Sequence, residues 1–172
     1  MISAALPRHK PMRWFSCAGR KARDARARMP TPVSVRAMSL ISVPVSYGEL
    51  LDKIAILQIK SERIGDPAKL ANVRHELDAL ETSWNAHPAA RHDIATLRAQ
   101  LKAINELLWV IEDDIRIREK AQDFGAEFIR LARAVYFEND ERARIKREIN
   151  LALGSDLVEE KSYQDYRATP AA

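Results

Sequence analysis

Four residues at helical spacing offer the first chemistry in this chain. Asn105, Trp109, Glu112 and Arg116 stand at i, i+4, i+7 and i+11, which places them on one stripe of a helix. Asp113 flanks that stripe. A second polar group follows at Glu138, Asn139, Asp140 and Arg142, between two runs of good core residues: Phe128, Leu131 and Val135 before it, Ile145, Ile149 and Leu153 after it. In every 3-4 register the middle positions fall on Glu138 or Asn139, then on Arg142. A helix built only to bury itself would carry leucine there. Two readings stand side by side. In one, a buried Asn or a paired arginine fixes register and oligomer state at some cost in stability. In the other, the groups form a ligand or partner site. Trp109 is its flat apolar wall, Arg116 and Arg142 are its forked donors, and Glu112, Asp113 and Asp140 are its acceptors or proton carriers.

Other chemistries find little support in the sequence. His75, His87 and His92 lack the spacing of helical metal ligands, and no Glu-x-x-His of the di-iron kind is present, so no metal is expected. Gly48 and Gly65 are isolated and no glycine-rich phosphate loop occurs, so no cofactor is expected either. The single cysteine, Cys17, leaves no internal disulfide and makes a reducing compartment, the cytoplasm, the expectation. No apolar run approaches the ~20 residues of a membrane span.

The elements that must position these groups are helices. Leu40–Val45 is short, β-branched and broken by Pro44, which predicts an extended lead-in. Ser46-Tyr-Gly-Glu49 has the spacing of a capping box, with serine accepting from the backbone of residue 49 and Glu49 reaching back. The first helix then carries Leu50, Ile54, Leu57 and Ile64, widened by Leu51, Ala55 and Ile59. Gly65 stops it, and Asp66-Pro67 begins a second helix to about Asn85. A break over His87–Asp93 leads to the clearest pattern in the sequence. Ile94, Leu97, Leu101, Ile104, Leu108, Ile111 and Ile115 alternate spacings of three and four, the seam of knobs-into-holes packing. A fourth helix runs from about Ala126 to Leu153, with Gly154 as its stop. A short loop between two long helices makes them antiparallel, and a turn at 124–125 sets residues 105–116 level with 144–133. Both polar groups then meet halfway along the hairpin. The piece Leu157–Tyr163 is too polar for a core, and folding over the bundle end, binding a partner and remaining a solvated tail all stay open.

Charge divides the 172 residues into two unlike parts. Residues 1–38 hold nine of the 28 Lys and Arg but one of the 24 acidic residues, a net of +8. Residues 39–172 keep 19 basic and 23 acidic side chains, a net of −4, which argues against nucleic acid as partner of the folded part. Ala, Arg, Pro and Gly make up 19 of the first 38 residues, a composition that predicts disorder. The arm reads as a transit-type targeting peptide, as a cationic tail for phosphate or anionic lipid, or as the product of a start codon assigned too early, with Met38 the true start.

These patterns resemble a family. The stretch ISVPVSYGELLDKIAILQIKSERI, the piece N-x-x-L-W-x-x-E-D-x-x-R at 105–116 and the piece N-D-x-R-x-x-x-K at 139–146 are similar to a family of small bacterial proteins, domain-of-unknown-function family 6165. The resemblance covers nearly all of 41–163 and supplies no reaction. It marks Asn105, Trp109, Glu112, Asp113, Arg116, Asn139, Asp140, Arg142 and Lys146. A second uncharacterised family, associated with surface-polysaccharide gene clusters, is similar in the N-x-x-L-W-x-x-E-D and N-x-x-R elements. The stretch LLDKIAILQIKSER resembles the first helix of chorismate mutase, which implies a cationic cavity of Lys53, Lys60, Arg116 and Arg142 for a carboxylated substrate.

The expectation is an all-α antiparallel bundle, or coiled-coil hairpin, of about four helices over 39–163, with a disordered tail over 164–172. Its expected role is a non-enzymatic interaction module in a bacterial cytoplasm, self-associating into a homo-oligomer or binding a protein partner. The alternative is a polar inter-helix cavity for an anionic metabolite or sugar-linked substrate.

Overall fold

A computed structural model describes residues 40–162 of the chain. The arm expected over 1–38 and the tail expected over 164–172 lie outside the described residues. Leu40–Ser42 have no regular structure and stand outside the helical unit, which begins at Val43. Its elements are α1 (Tyr47–Arg63), α2 (Pro67–Ala86), a 3-10 turn (Pro88–Arg91), α3 (Ala95–Lys120) and α4 (Ala126–Leu153). No strand occurs among the described residues. The fold is an all-α helical bundle.

Each boundary has a local cause. Asp66 accepts hydrogen bonds from the backbone N–H of Ala68 and Lys69, and Pro67 fills the first helical position of α2, where a missing N–H costs nothing. His87 Nδ1 accepts from Ala89 N–H and starts the 3-10 turn. At the hairpin tip, the Asp123 carboxylate accepts from Arg118 and from Gly125 N–H. Gly154 ends α4 at φ 64° and ψ 46°, a left-handed conformation that glycine adopts without a Cβ penalty.

With 26 and 28 residues, α3 and α4 are each about 40 Å long at ~1.5 Å per residue. They form the antiparallel hairpin, α1 packs across both, and α2 lies against α1. The seam of α3 is the seam of the core: Ile94, Leu101, Ile104, Leu108 and Ile111 are buried, and Leu97 packs against the cluster. Ile145 and Ile149 of α4 meet Leu51 and Ile54 of α1 in that cluster, and Trp84, Ala89 and Ile94 close one end of it. Fully burying one such aliphatic side chain contributes about 1.5–3 kcal/mol before the cost of ordering it. Among the described residues no helix is long and apolar enough to cross a membrane.

The capping box forms by half. Ser46 Oγ accepts from Glu49 N–H at 3.2 Å, but the Glu49 carboxylate leaves its own helix and takes the Lys146 ammonium of α4 at 2.5 Å. The reason is proximity: α1 enters the bundle with its first turn pressed on α4. A Cβ at Gly48 would stand 2.5 Å from the Lys146 carbonyl oxygen and 3.1 Å from Asn150 Oδ1. Only a residue without a side chain lets the two backbones approach this closely. Gly48→Ala is therefore expected to lower stability by about 1–3 kcal/mol, the usual range for overpacking. Urea denaturation with unchanged slope checks it; a loss within experimental error would show that the approach is loose.

Candidate functional site

The entry turn of α1 needs partners for its first backbone N–H groups, which no helix can satisfy internally. Ser46 takes one. The Gly48 N–H donates to Asn150 Oδ1 at 2.7 Å, a buried bond between residues 102 apart in sequence. One turn along α1, Asp52 is buried at 6% exposure and accepts from Asn105 Nδ2 at 2.7 Å. Asn105 is also buried; its Nδ2 donates to the Leu101 carbonyl at 3.0 Å and its Oδ1 accepts from Arg142 Nη1 at 3.3 Å. Asp52, Asn105 and Arg142 thus link α1, α3 and α4 in one line. Among the described residues, no buried side-chain nitrogen or oxygen lacks a partner.

Lys146 anchors the other side of the entry turn. Its ammonium, with the side chain 10% exposed, donates to Glu49 at 2.5 Å and to Glu159 at 2.7 Å. Burial works to lower the Lys146 pKa, but the hydrogen bonds to Glu159 and Glu49, backed by the charges of Glu49 and Asp52, outweigh it and raise the group above its ordinary 10.5. The same bond to Lys146 exceeds the opposing desolvation at Glu159 and holds its carboxyl below the ordinary 4.5. Glu160 pairs with Arg147. Glu159 and Glu160 therefore lie back against α4, while the side chains of residues 157–162 stay exposed.

The nine residues marked in the sequence divide into three places. Asn105, Trp109, Glu112, Asp113, Arg116 and Arg142 line one open cleft of about 330 Å³, floored by Ile56 and Leu108. Arg63 of α1 lies over the Trp109 ring, its Cζ 5.9 Å from the centroid, within reach of a cation–π attraction. Glu112 and Arg116 pair with each other at 2.8 Å on the exposed rim. Asn139 and Asp140 line a second cleft of about 510 Å³ between α4 and the returning segment, with Arg142, Tyr136, Glu159 and Lys161; Asn139 Nδ2 also donates back to the Val135 carbonyl at 2.8 Å. Lys146 lines neither cleft and sits at the entry turn. Arg142 is the residue common to both clefts.

The cationic cavity implied by the likeness to chorismate mutase is corrected by α2. Lys53 faces that helix and pairs with Glu76 at 2.6 Å, and neither Lys53 nor Lys60 lines the cleft that holds Arg116 and Arg142. Sequence reasoning missed Asp52, Asn150 and the reach of Glu49. A signal existed for two of them. Asp52 interrupts the apolar run Leu50-Leu51-Asp52-Lys53-Ile54, and Asn150 continues the stripe of Arg142 and Lys146 at steps of four. Among the described residues no group of three or more His, Cys, Asp or Glu is placed to hold a metal.

The site and fold together define a small helical bundle whose entry turn and hairpin are joined by buried polar bonds. The chain belongs to the family of unknown function DUF6165, which matches residues 41–172. No curated protein and no solved structure matches it.

The buried bonds give a pH prediction with a definite sign. A raised lysine stabilises fully below 10.5 and loses that contribution as pH climbs through the folded value; a lowered carboxyl stabilises above 4.5 and loses it as pH falls through the folded value. Thermal midpoints measured from acid to alkaline pH should show a plateau between these limits. Lys146→Met should lower the plateau and remove the lysine's share of the alkaline edge, while Glu159→Gln should soften the acid edge. In the same assay Asn105→Ala should cost about 1–3 kcal/mol, because Asp52 keeps its burial and loses its donor. An Asn105→Ala protein as stable as the parent would deny the line its structural role.

Proposed function

We propose that the chain is a non-enzymatic interaction module of the bacterial cytoplasm that pairs with a second copy of itself through α4. The observation that carries the reading is the order of side chains on the face of α4 turned away from α1. Arg130 and Arg133 come first, Ala134 and Phe137 stand in the middle, and Glu138 and Glu141 follow. About the midpoint between residues 135 and 136 the pattern is self-complementary. An antiparallel copy sets Phe137 against Ala134, Arg133 against Glu138 and Arg130 against Glu141. A two-fold interface requires this property, since each residue must suit its symmetry mate.

Exposure and shape fit the same use. Phe137 is 41% exposed on a helix whose opposite side is core. Ala126, Ile129, Arg130, Arg133, Ala134, Phe137 and Glu138 line a shallow groove of about 490 Å³ along α4. Leu107 of α3 lies beside Glu141 and Ile145, and Val110 follows one turn on; both are 44% exposed and extend the apolar strip. Arg130 bonds Glu127, and Arg144 bonds Glu141, within α4. Exposed pairs of this kind are worth a few tenths of a kcal/mol, so exchanging them for contacts across the dimer costs little. The cytoplasmic setting is supported by the lone cysteine and by the sequence's resemblance to bacterial proteins.

Sedimentation of the full chain tests the reading. The parent should sediment as a dimer. The pair Arg130→Glu with Arg133→Glu should give a monomer by setting like charges opposite each other. Adding Glu138→Arg and Glu141→Arg to that variant should restore the dimer. A parent that stays monomeric at every concentration, or a dimer indifferent to the charge reversal, would rule the interface out.

A further inference from the structure

The arginines of the hairpin are not equivalent. Arg116, Arg118, Arg130, Arg144 and Arg147 each hold a carboxylate, and all are exposed or nearly so, while Arg133 is exposed and Arg98 lines a different hollow. Arg142 is half-buried, and among the described residues no carboxylate lies within 4.0 Å of its guanidinium. Among the described residues its side chain donates to a neutral carboxamide, Asn105 Oδ1, at 3.3 Å. Asn105 cannot turn to suit it freely, because its Nδ2 is fixed by Asp52 and by the Leu101 carbonyl. The nearest buried charge, Asp52, is thereby satisfied through an intermediary and not by the arginine itself. A guanidinium has five donors in a rigid fork, and one spent on an amide leaves a charge and several N–H groups for something else.

The surroundings describe what that something is. The inner end of the smaller cleft is apolar and aromatic, made by Ile56, Leu108 and Trp109, with Arg142 beside them. Arg63 lies over the Trp109 ring and has no carboxylate within 4.0 Å among the described residues. The acidic groups stand at the rim, where Glu112 is already paired with Arg116. A cation with open donors beside an indole face recognises an oxyanion attached to a ring: the fork takes the oxygens two at a time, and the ring lies on the tryptophan. We propose that this cleft binds a small carboxylate or phosphate borne on an aromatic or similarly flat ring, with Arg142 holding the anion and Trp109 the ring. Arg63 of α1 lies over the Trp109 ring without lining the cleft, so the ligand's ring takes the part of the indole that the cleft leaves open. The site requires only one chain and stands apart from the outward face of α4 used for pairing.

Titration of the full chain with phenyl phosphate and with benzoate tests the proposal, read by tryptophan fluorescence and by calorimetry. At least one of the two anions should bind saturably at one site per chain. Benzyl alcohol, which keeps the ring without the charge, should bind at least tenfold more weakly, and inorganic phosphate, without the ring, likewise. Arg142→Gln should weaken the anion about tenfold or more, the scale of losing a charge-assisted hydrogen bond. Arg142→Lys should fall between the two, because it keeps the charge and loses the fork. Trp109→Phe should abolish the fluorescence change while calorimetry still detects binding. Arg98→Gln, on α3 in a different hollow, should bind as the parent does. Circular dichroism confirms folding of each variant, and if Arg142→Gln fails to fold, Arg142→Lys decides. No saturable binding of either anion to the parent, or equal affinity in a folded Arg142 variant, would overturn the proposal.

Discussion

Everything in this bundle depends on how the first turn of α1 is held against the backbone of α4. The approach at Gly48 is too close for any side chain, and it brings two obligations. The backbone N–H groups of the turn lose water and must find acceptors, and the carbonyl side of α4 must tolerate a helix end. Asn150 meets the first obligation from α4 itself, and Lys146 with Glu49 ties the two helices beside it. Once the turn is placed, the rest of α1 has one course, across α3 and α4, and Asp52 arrives opposite Asn105. Apolar burial supplies most of the attraction, but it is non-directional. The polar bonds choose which of many greasy contacts is made.

That division of labour separates the polar residues of the hairpin by purpose. Asn105 is buried, fully bonded, and joined to a partner on each neighbouring helix. Lys146 acts likewise, its charge enclosed by two carboxylates. Arg142 differs, because among the described residues no carboxylate lies within 4.0 Å of it, although its charge helps lower the Glu159 carboxyl. Removing the Asn105 carboxamide would strand the buried Asp52 carboxylate, whereas no buried group among the described residues depends in that way on a guanidinium at 142. Trp109 is similar in kind. Its ring is half-exposed beside a cleft, where a branched aliphatic residue would cover Leu108 as well. These two neighbours carry more chemistry than the packing requires, and the proposed reading of the cleft rests on that surplus.

Much of this was legible in the sequence. The alternating three-and-four spacing from Ile94 to Ile115 defined α3, Asp66-Pro67 and Gly154 marked boundaries, and the turn near 124–125 set Asn105 opposite Arg142 to within a residue or two. These are local or one-dimensional signals, repeated along the chain, and each carries its own physical cause. The contacts of α1 were not legible in the same way. Glu49 had an equally good local partner in its own capping box, and only the approach of Lys146 decides between them. Gly48 looked like an isolated glycine until α4 lay over it. Asn139 and Asp140 adjoin Arg142 in sequence, yet helical rotation turns them toward the returning segment at Glu159, which no periodicity announces. Sequence spacing names the face of a helix; it does not name what that face meets.

The direct measure of the central claim is native-state hydrogen exchange at the Gly48 amide. An N–H in the first turn of a helix ordinarily exchanges fast, since water is its usual partner. Held by Asn150 Oδ1 inside the bundle, it should exchange as slowly as amides in the middle of α1, and Asn150→Ala should release it while those amides stay protected. Rapid exchange at Gly48 in the parent protein would mean that the turn is not anchored on α4, and the arrangement built on it would have to be abandoned.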